Sequence, residues 1–171
     1  VAVAQELEIP FPRVAEALES FAGIHRRFEV KGEAKGILVI DDYGHHPVEI
    51  QATLQAIRDG WNRPLVVIFQ PHRYSRTRDL FDDFLTAFEG SDRLVLTEIY
   101  AAGEEPIPGT SGETLYQAVK RGGHLEVEFI PDRREIAKRL LPRLRAGDVV
   151  LTLGAGDIYK TGEELVEALK G

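Results

Sequence analysis

The 171-residue chain has no cysteine, no methionine and a single tryptophan. Without cysteine there is no disulfide framework, no thiolate metal site and no cysteine nucleophile. Long apolar runs are missing too. Segments such as Leu65 to Phe69 fall far short of the ~20 residues that span a bilayer. No basic stretch leads into an apolar core at the N-terminus, so no signal peptide is expected. A cytoplasmic location with no membrane partner is the expectation. Positive charge is in deficit: 21 Lys and Arg stand against 28 Asp and Glu, a net charge of −7. That balance argues against a nucleic-acid partner. The missing methionine includes position 1, and the chain is expected to be a piece of a longer one. What remains, 43% hydrophobic and 29% charged, is ordinary for one compact globular domain.

Five short apolar segments stand out, at 36–40, 65–69, 93–97, 126–130 and 149–153. Most are apolar on consecutive rather than alternating positions, the pattern of strands buried on both faces. Helical spacing fills the gaps between them. Leu80, Phe81, Phe84, Leu85 and Phe88 fall on one face of a helix, as do Ile136, Ala137, Leu140, Leu141 and Leu144. Pro142 is expected to kink or end the second of these. Ile50, Leu54 and Ile57 form a third stripe, with Pro47 in its first turn. Thr110 with Glu113, Asp132 with Glu135 and Thr161 with Glu164 have the spacing of reciprocal N-terminal caps. A further short strand, 28–31, is placed antiparallel to 36–40 across the turn Gly32-Glu33-Ala34-Lys35. The pattern predicts a three-layer α/β fold: a mainly parallel sheet of about six strands, one short strand antiparallel, helices on both faces. Residues 1–23 break this rhythm. Their stripe of Val14, Leu18 and Phe21 reads either as the end of an upstream domain or as a helix packed on this one.

Ligands of open parallel sheets sit beyond the carboxyl ends of the strands, so the segments after each apolar run matter most. After the first comes Asp41-Asp42-Tyr43-Gly44-His45-His46-Pro47. Carboxylate and imidazole are zinc-compatible, but adjacent loop histidines cannot readily face one ion. Structural capping of the strand end and a nucleotide-facing loop stay open as readings. After the second run come His72, Arg73 and Arg76, with Arg78 beyond. Arginine forks and a helix start together make an anion site; the alternative is a solvated basic turn offset by Asp79, Asp82 and Asp83. The turn Gly154-Ala155-Gly156-Asp157 lacks the full GxGxxG, and Lys160 completes no P-loop. Tight turning explains its glycines as well as a nucleotide does. Glu104 and Glu105, next to Pro106 and Pro108, read as a surface loop.

The strings HRRFE (25–29), DDYGHHP (41–47), FQPHRYSRTRDL (69–80), YAAGEEPIPG (100–109) and LTLGAGDI (151–158) resemble, in order and spacing, the C-terminal domain of the Mur ligase family. The resemblance covers residues 20–171, and FQPHRYSRT is its most discriminating part. It implies a Rossmann-like, amino-acid-binding domain over 24–171, with 1–23 as the helical end of a central ATP-binding domain. It also implies an ATP-dependent amide synthesis in peptidoglycan precursor assembly, with UDP-N-acetylmuramate and L-alanine as substrates and an acyl phosphate between them. By the same resemblance, Arg27, Asp42, Tyr43, His45 and His46 face ATP, and His72, Arg73 and Arg76 take the incoming amino acid. No GxxGK[ST] occurs, so the P-loop and the magnesium ligands are expected upstream, and this piece alone is expected to be inactive. A ligase that recycles the murein tripeptide, and a non-catalytic amino-acid or nucleotide-binding module, are the alternatives.

Overall fold

A computed structural model describes residues 1–21, 23–123 and 126–171. Two short helices come first, α1 (Ala2–Glu6) and α2 (Phe11–Glu19). Next is a hairpin of β1 (Glu29–Ala34) and β2 (Ile37–Asp42), then α3 (Pro47–Gly60), β3 (Leu65–Phe69), α4 (Tyr74–Asp79) and α5 (Phe81–Phe84). The remainder is β4 (Arg93–Leu96), α6 (Gly112–Arg121), β5 (Val127–Phe129), α7 (Ile136–Leu140), β6 (Val149–Leu153) and α8 (Tyr159–Lys170).

The strands lie in the order β1-β2-β6-β3-β4-β5. β1 runs antiparallel to β2, and every other neighbouring pair is parallel. β2, β3 and β6 are buried at every residue, which is why they read as unbroken apolar runs. One face of the sheet packs on Ile50, Leu54 and Ile57 of α3, Phe84 of α5 and Leu115 of α6. The other packs on Ile136 and Leu140 of α7 and Leu165 and Leu169 of α8. This is the expected three-layer α/β architecture. Because β6 enters last and inserts between β2 and β3, it brings the loop after residue 153 between the loops after 42 and 69.

Several local expectations need correction. The 80–88 stripe buries Phe84 and Phe88, but not as one helix. Leu80, with φ −111° and ψ 21°, leaves helical geometry and separates α4 from the four-residue α5. The hairpin turn is two residues shorter than expected, because Gly32, Glu33 and Ala34 pair with β2. The turn is left to Lys35 and Gly36, both at positive φ, the geometry that matches strand twist. Thr110 does not cap α6: Ser111 does, its Oγ accepting from Thr114 N–H at 3.0 Å. Thr161 is buried inside α8 rather than capping it, since that helix already starts at Tyr159. Asp132 does accept from Arg134 N–H at 3.0 Å, but it caps a 3-10 turn over Arg133–Glu135. Pro142 acts as expected: α7 ends at Leu140 and a 3-10 turn carries the proline.

α1 and α2 bury no residue. Leu18 and Phe21 of the expected stripe are exposed. Among the described residues no helix is long and apolar enough to cross a membrane. Phe84 joins Phe69 at 5.5 Å between ring centroids on the sheet. Phe84→Ala is therefore expected to cost about 3–5 kcal/mol, read as a lowered midpoint at unchanged slope in urea denaturation.

Candidate functional site

The loops after β2, β3, β4 and β6 converge on one edge. Asp41 and Asp42 end β2 opposite Thr152 and Leu153 of β6. Both carboxylates are turned to internal use. Asp41 is fully buried, accepting from Thr152 Oγ1 at 2.6 Å and from Arg26 Nε at 3.1 Å. Burial still holds its carboxyl above the ordinary value, against these two partners. Asp42 accepts from the backbone N–H groups of Phe28 and Gly44, each at 2.7 Å, and from Thr53 Oγ1 at 3.4 Å. Such bonds shape the loop; they leave Asp42 no unengaged oxygen, since Oδ1 takes Gly44 and Thr53 while Oδ2 takes Phe28.

The other residues of this segment divide between capping and the edge. His46 starts α3: its Nδ1 faces Val48 N–H at 3.4 Å, while Glu49 Oε2 accepts from His46 N–H at 3.2 Å. Glu49 three residues after a capping residue is a readable signal, masked here because histidine is an uncommon cap. Tyr43 and His45 line the edge, rings 5.4 Å apart, and His45 Nδ1 bonds the Tyr43 carbonyl at 3.0 Å. The Arg27 guanidinium stands 5.3 Å from the Tyr43 ring. It is half-exposed, and among the described residues it meets a carboxylate only at long range, 3.9 Å to Glu49.

The two segments singled out by sequence meet through their histidines. The His45 and His72 rings lie 5.7 Å apart, and His72 stacks on Tyr100 at 5.7 Å and 9°. A row of four rings, Tyr43, His45, His72 and Tyr100, thus crosses the ends of β2, β3 and β4. Arg76 Nη1 is 3.0 Å from both His72 Nδ1 and the His72 carbonyl. A guanidinium only donates, so Nδ1 is the acceptor and the neutral ring carries its proton on Nε2. Burial, followed by the nearby Arg76, His45 and Arg73, pushes the His72 ring down to about 4, with Glu104 opposing.

Arg73 sits at φ 73°, held there by its N–H donating to the Tyr100 carbonyl at 2.9 Å. Its side chain is half-exposed, 3.8 Å from Glu104. The segment with Glu104 and Glu105 is the surface loop expected, but Glu104 is bonded within it: Oε1 accepts from Ser75 Oγ at 2.6 Å and Oε2 from Ser75 N–H at 3.0 Å. Those bonds hold its carboxyl below the usual range. The helix start expected to welcome an external anion is therefore already met by the chain's own carboxylate.

The glycine turn after β6 is explained by packing. A Cβ on Gly156 would lie 2.4 Å from Gln70 Oε1 and 2.6 Å from the Tyr100 ring, and one on Gly154 would meet the Gln70 carbonyl at 2.7 Å. Asp157 accepts from Gln70 Nε2 at 3.1 Å and from Arg133 Nε at 2.8 Å. Arg26, Gln70, Tyr100 and Glu104 lie in the segments singled out by sequence but without a role read for them, and Arg133 lies outside those segments; all five organise this edge. Arg26 and Arg27 are a doublet whose inward and outward members only the fold separates. Among the described residues no group of three or more His, Asp or Glu side chains is arranged to hold a metal ion.

Residues 26–156 match the family model described as the Mur ligase, glutamate ligase domain. The chain is 54% identical over 171 residues to a UDP-N-acetylmuramate–L-alanine ligase of Geotalea uraniireducens, covering 100% of this chain and 37% of that protein. A ligase of the same name from Myxococcus xanthus is 54% identical over 170 residues, with 99% of this chain and 36% of that one covered. The chain thus spans little more than a third of the length of these curated relatives. Among solved structures, the UDP-N-acetylmuramate-alanine ligase of Thermotoga maritima superposes with a TM-score of 0.82 at 33% identity, covering 99% of this chain and 35% of that one. A murein peptide ligase of Psychrobacter arcticus gives 0.69 at 25% identity, covering 90% and 32%.

The His72 environment is directly testable. The unfolded ring titrates near 6.5 and the folded one near 4, so between these values the unfolded chain binds the extra proton. Stability attributable to His72 therefore falls as pH drops from 6.5 towards 4 and is level below that window. The His72 Cε1–H resonance is expected to titrate with a midpoint near 4, and His72→Gln to flatten part of the acid loss of stability. A midpoint at or above 6 would contradict the Arg76–His72 arrangement.

Proposed function

This chain belongs to the Mur ligase family through its glutamate ligase domain, and on that premise we propose that it is the C-terminal third of an ATP-dependent ligase joining L-alanine to UDP-N-acetylmuramate. In that reading residues 1–23 are the last helices of the preceding ATP-binding domain, and 24–171 form the amino-acid-binding domain. Their exposed apolar side chains, among them Phe11, Leu18 and Phe21, suit helices that pack on something other than this sheet. Sequence and structure likeness favour the alanine-adding reading over the tripeptide-recycling one, at 33% identity and a TM-score of 0.82 against 25% and 0.69.

The observation that carries the proposal is how the edge distributes its arginines. Arg76 is engaged by His72 and Arg133 by Asp157 and Glu164. Arg27 and Arg73 are instead half-exposed, and among the described residues each meets a carboxylate only at long range, 3.9 Å and 3.8 Å. Exposed contacts of that kind are worth at most about 1 kcal/mol, so an incoming anion displaces them at little cost. Arg27, beside the flat ring of Tyr43, suits the phosphates of ATP. Arg73, two positions from Ser75 and flanked by His72, suits the α-carboxylate of an amino acid, which a guanidinium fork binds bidentately. ATP supplies the leaving group: its phosphoryl group activates the lactyl carboxylate, and the alanine amine then forms the amide as phosphate departs. This chain's contribution is to bind and orient, with neutral His72 offering Nε2–H as a donor at the rim. Asp42 and His46 act here by shaping the loop and starting α3, and His45 by bridging to His72. The carboxylates of this edge do not fit magnesium, because Asp41 and Asp42 are consumed internally; its ligands belong to the preceding domain.

Phosphate release by the full-length polypeptide, given ATP, magnesium and UDP-N-acetylmuramate, tests the assignment. Release is expected with L-alanine; release only with the L-alanyl-γ-D-glutamyl tripeptide would assign the recycling activity instead. The 171-residue chain alone is expected to release none. Arg73→Ala in the full-length protein is expected to raise KM for L-alanine about tenfold or more while KM for ATP stays within about twofold. Equal effects on both would remove Arg73 from the amino-acid site.

A further inference from the structure

Arg26 is engaged through all three of its guanidinium nitrogens. Nε donates to Asp41 Oδ2 at 3.1 Å, Nη1 to the Gly156 carbonyl at 3.0 Å and Nη2 to the Gly154 carbonyl at 2.5 Å. The guanidinium lies 4.6 Å from the Tyr159 ring and 5.1 Å from the Tyr43 ring. The side chain is only 12% exposed, which leaves it no room to be a ligand-binding group. Its backbone is fixed as well, with N–H on Glu29 Oε2 and carbonyl accepting from Tyr43 N–H, both at 2.7 Å. It holds φ 60°, and Phe28 beyond it φ 48°, conformations that non-glycine residues keep only when their surroundings impose them. One residue therefore joins the entry of the chain to the end of β2 and to the turn after β6. Arg27, next in sequence, leans on the same Tyr43 ring.

We propose that Arg26 is the positioning residue of the phosphate-binding edge: its three-way tie to Asp41, Gly154 and Gly156 fixes Tyr43, and through Tyr43 and the shared backbone it fixes where Arg27 presents its guanidinium. This rests on the reading of Arg27 as an ATP contact. Lysine cannot replace it, because a single ammonium does not reach three acceptors spread across a planar fork. Removing Arg26 would also leave Asp41 buried without its cation.

The test uses the full-length polypeptide carrying Arg26→Lys, with Tyr159→Leu as a milder variant that removes one of the two rings beside Arg26 and keeps its three hydrogen bonds. Two readouts are taken. Amide hydrogen exchange in 41–46 and 153–158 is expected to accelerate about tenfold or more in Arg26→Lys, with 72–76 unchanged. KM for ATP is expected to rise about tenfold or more, with KM for L-alanine within about twofold. Tyr159→Leu is expected to move both in the same direction by less. Unchanged exchange in these segments, or equal increases in both Michaelis constants, would overturn the positioning role. Arg27→Ala separates the two layers: if it leaves KM for ATP unchanged while Arg26→Lys still speeds exchange, the ATP reading of Arg27 fails rather than the tie made by Arg26.

Discussion

Burial of β2, β6 and β3 on both faces is the constraint from which the site follows. A strand with helices above and below it has almost no position for an unpaired charge, and these three are apolar along most of their length. Polar side chains are displaced to where the strands end. The late insertion of β6 then decides which ends are neighbours, so that the loops carrying Asp42, Gly154 and Gln70 lie side by side. The exceptions inside the sheet confirm the cost. Asp41 and Thr152 are both fully buried, and they are bonded to each other at 2.6 Å.

Buried strands with strong apolar character were legible for the same reason. Leu65–Phe69 and Val149–Leu153 begin and end where the sequence places them, because every residue in them has the same environment. Boundaries governed by one or two hydrogen bonds were not. Ser111 rather than Thr110 starts α6, as the close approach of Gly112 to the end of β4 fixes the helix there: a Cβ would lie 2.3 Å from the Thr97 carbonyl. The 80–88 stripe gave the right buried residues and the wrong element, since hydrophobic spacing reports which side chains face the core and not whether the backbone stays helical at Leu80.

The site was legible as a set of loops but not as a division of labour. Sequence pointed to carboxylates, histidines and arginines on one edge, and the fold brings them together through the His45–His72 contact. It could not separate side chains that hold the edge from those that face outwards. Asp42 looks available and is spent on Phe28 and Gly44 N–H groups. Glu104 looks like an idle surface acid and secures Ser75. Arg26 and Arg27 are chemically identical neighbours, yet the first is 12% and the second 51% exposed. Such distinctions arise from long-range partners, 15 and 130 residues away for Arg26, and local spacing carries no trace of them.

Backbone strain follows the same division. Arg26, Phe28, Arg73 and Ala102 hold positive φ, and all four belong to segments that meet at this edge. A non-glycine residue there costs about 1–2 kcal/mol, which the surrounding bonds must offset. For Arg73 the offset is its N–H bond to the Tyr100 carbonyl and the return bond from Tyr100 N–H to the Pro71 carbonyl at 2.8 Å. That pair locks the β3 and β4 exits together, so the strained backbone delivers a guanidinium outwards from a fixed base. The interactions that impose the strain are short backbone bonds, whereas those left to the Arg73 side chain are long and exposed. A ligand can therefore take the side chain without undoing the backbone that presents it, which is the requirement for a binding arginine held ready on a rigid edge.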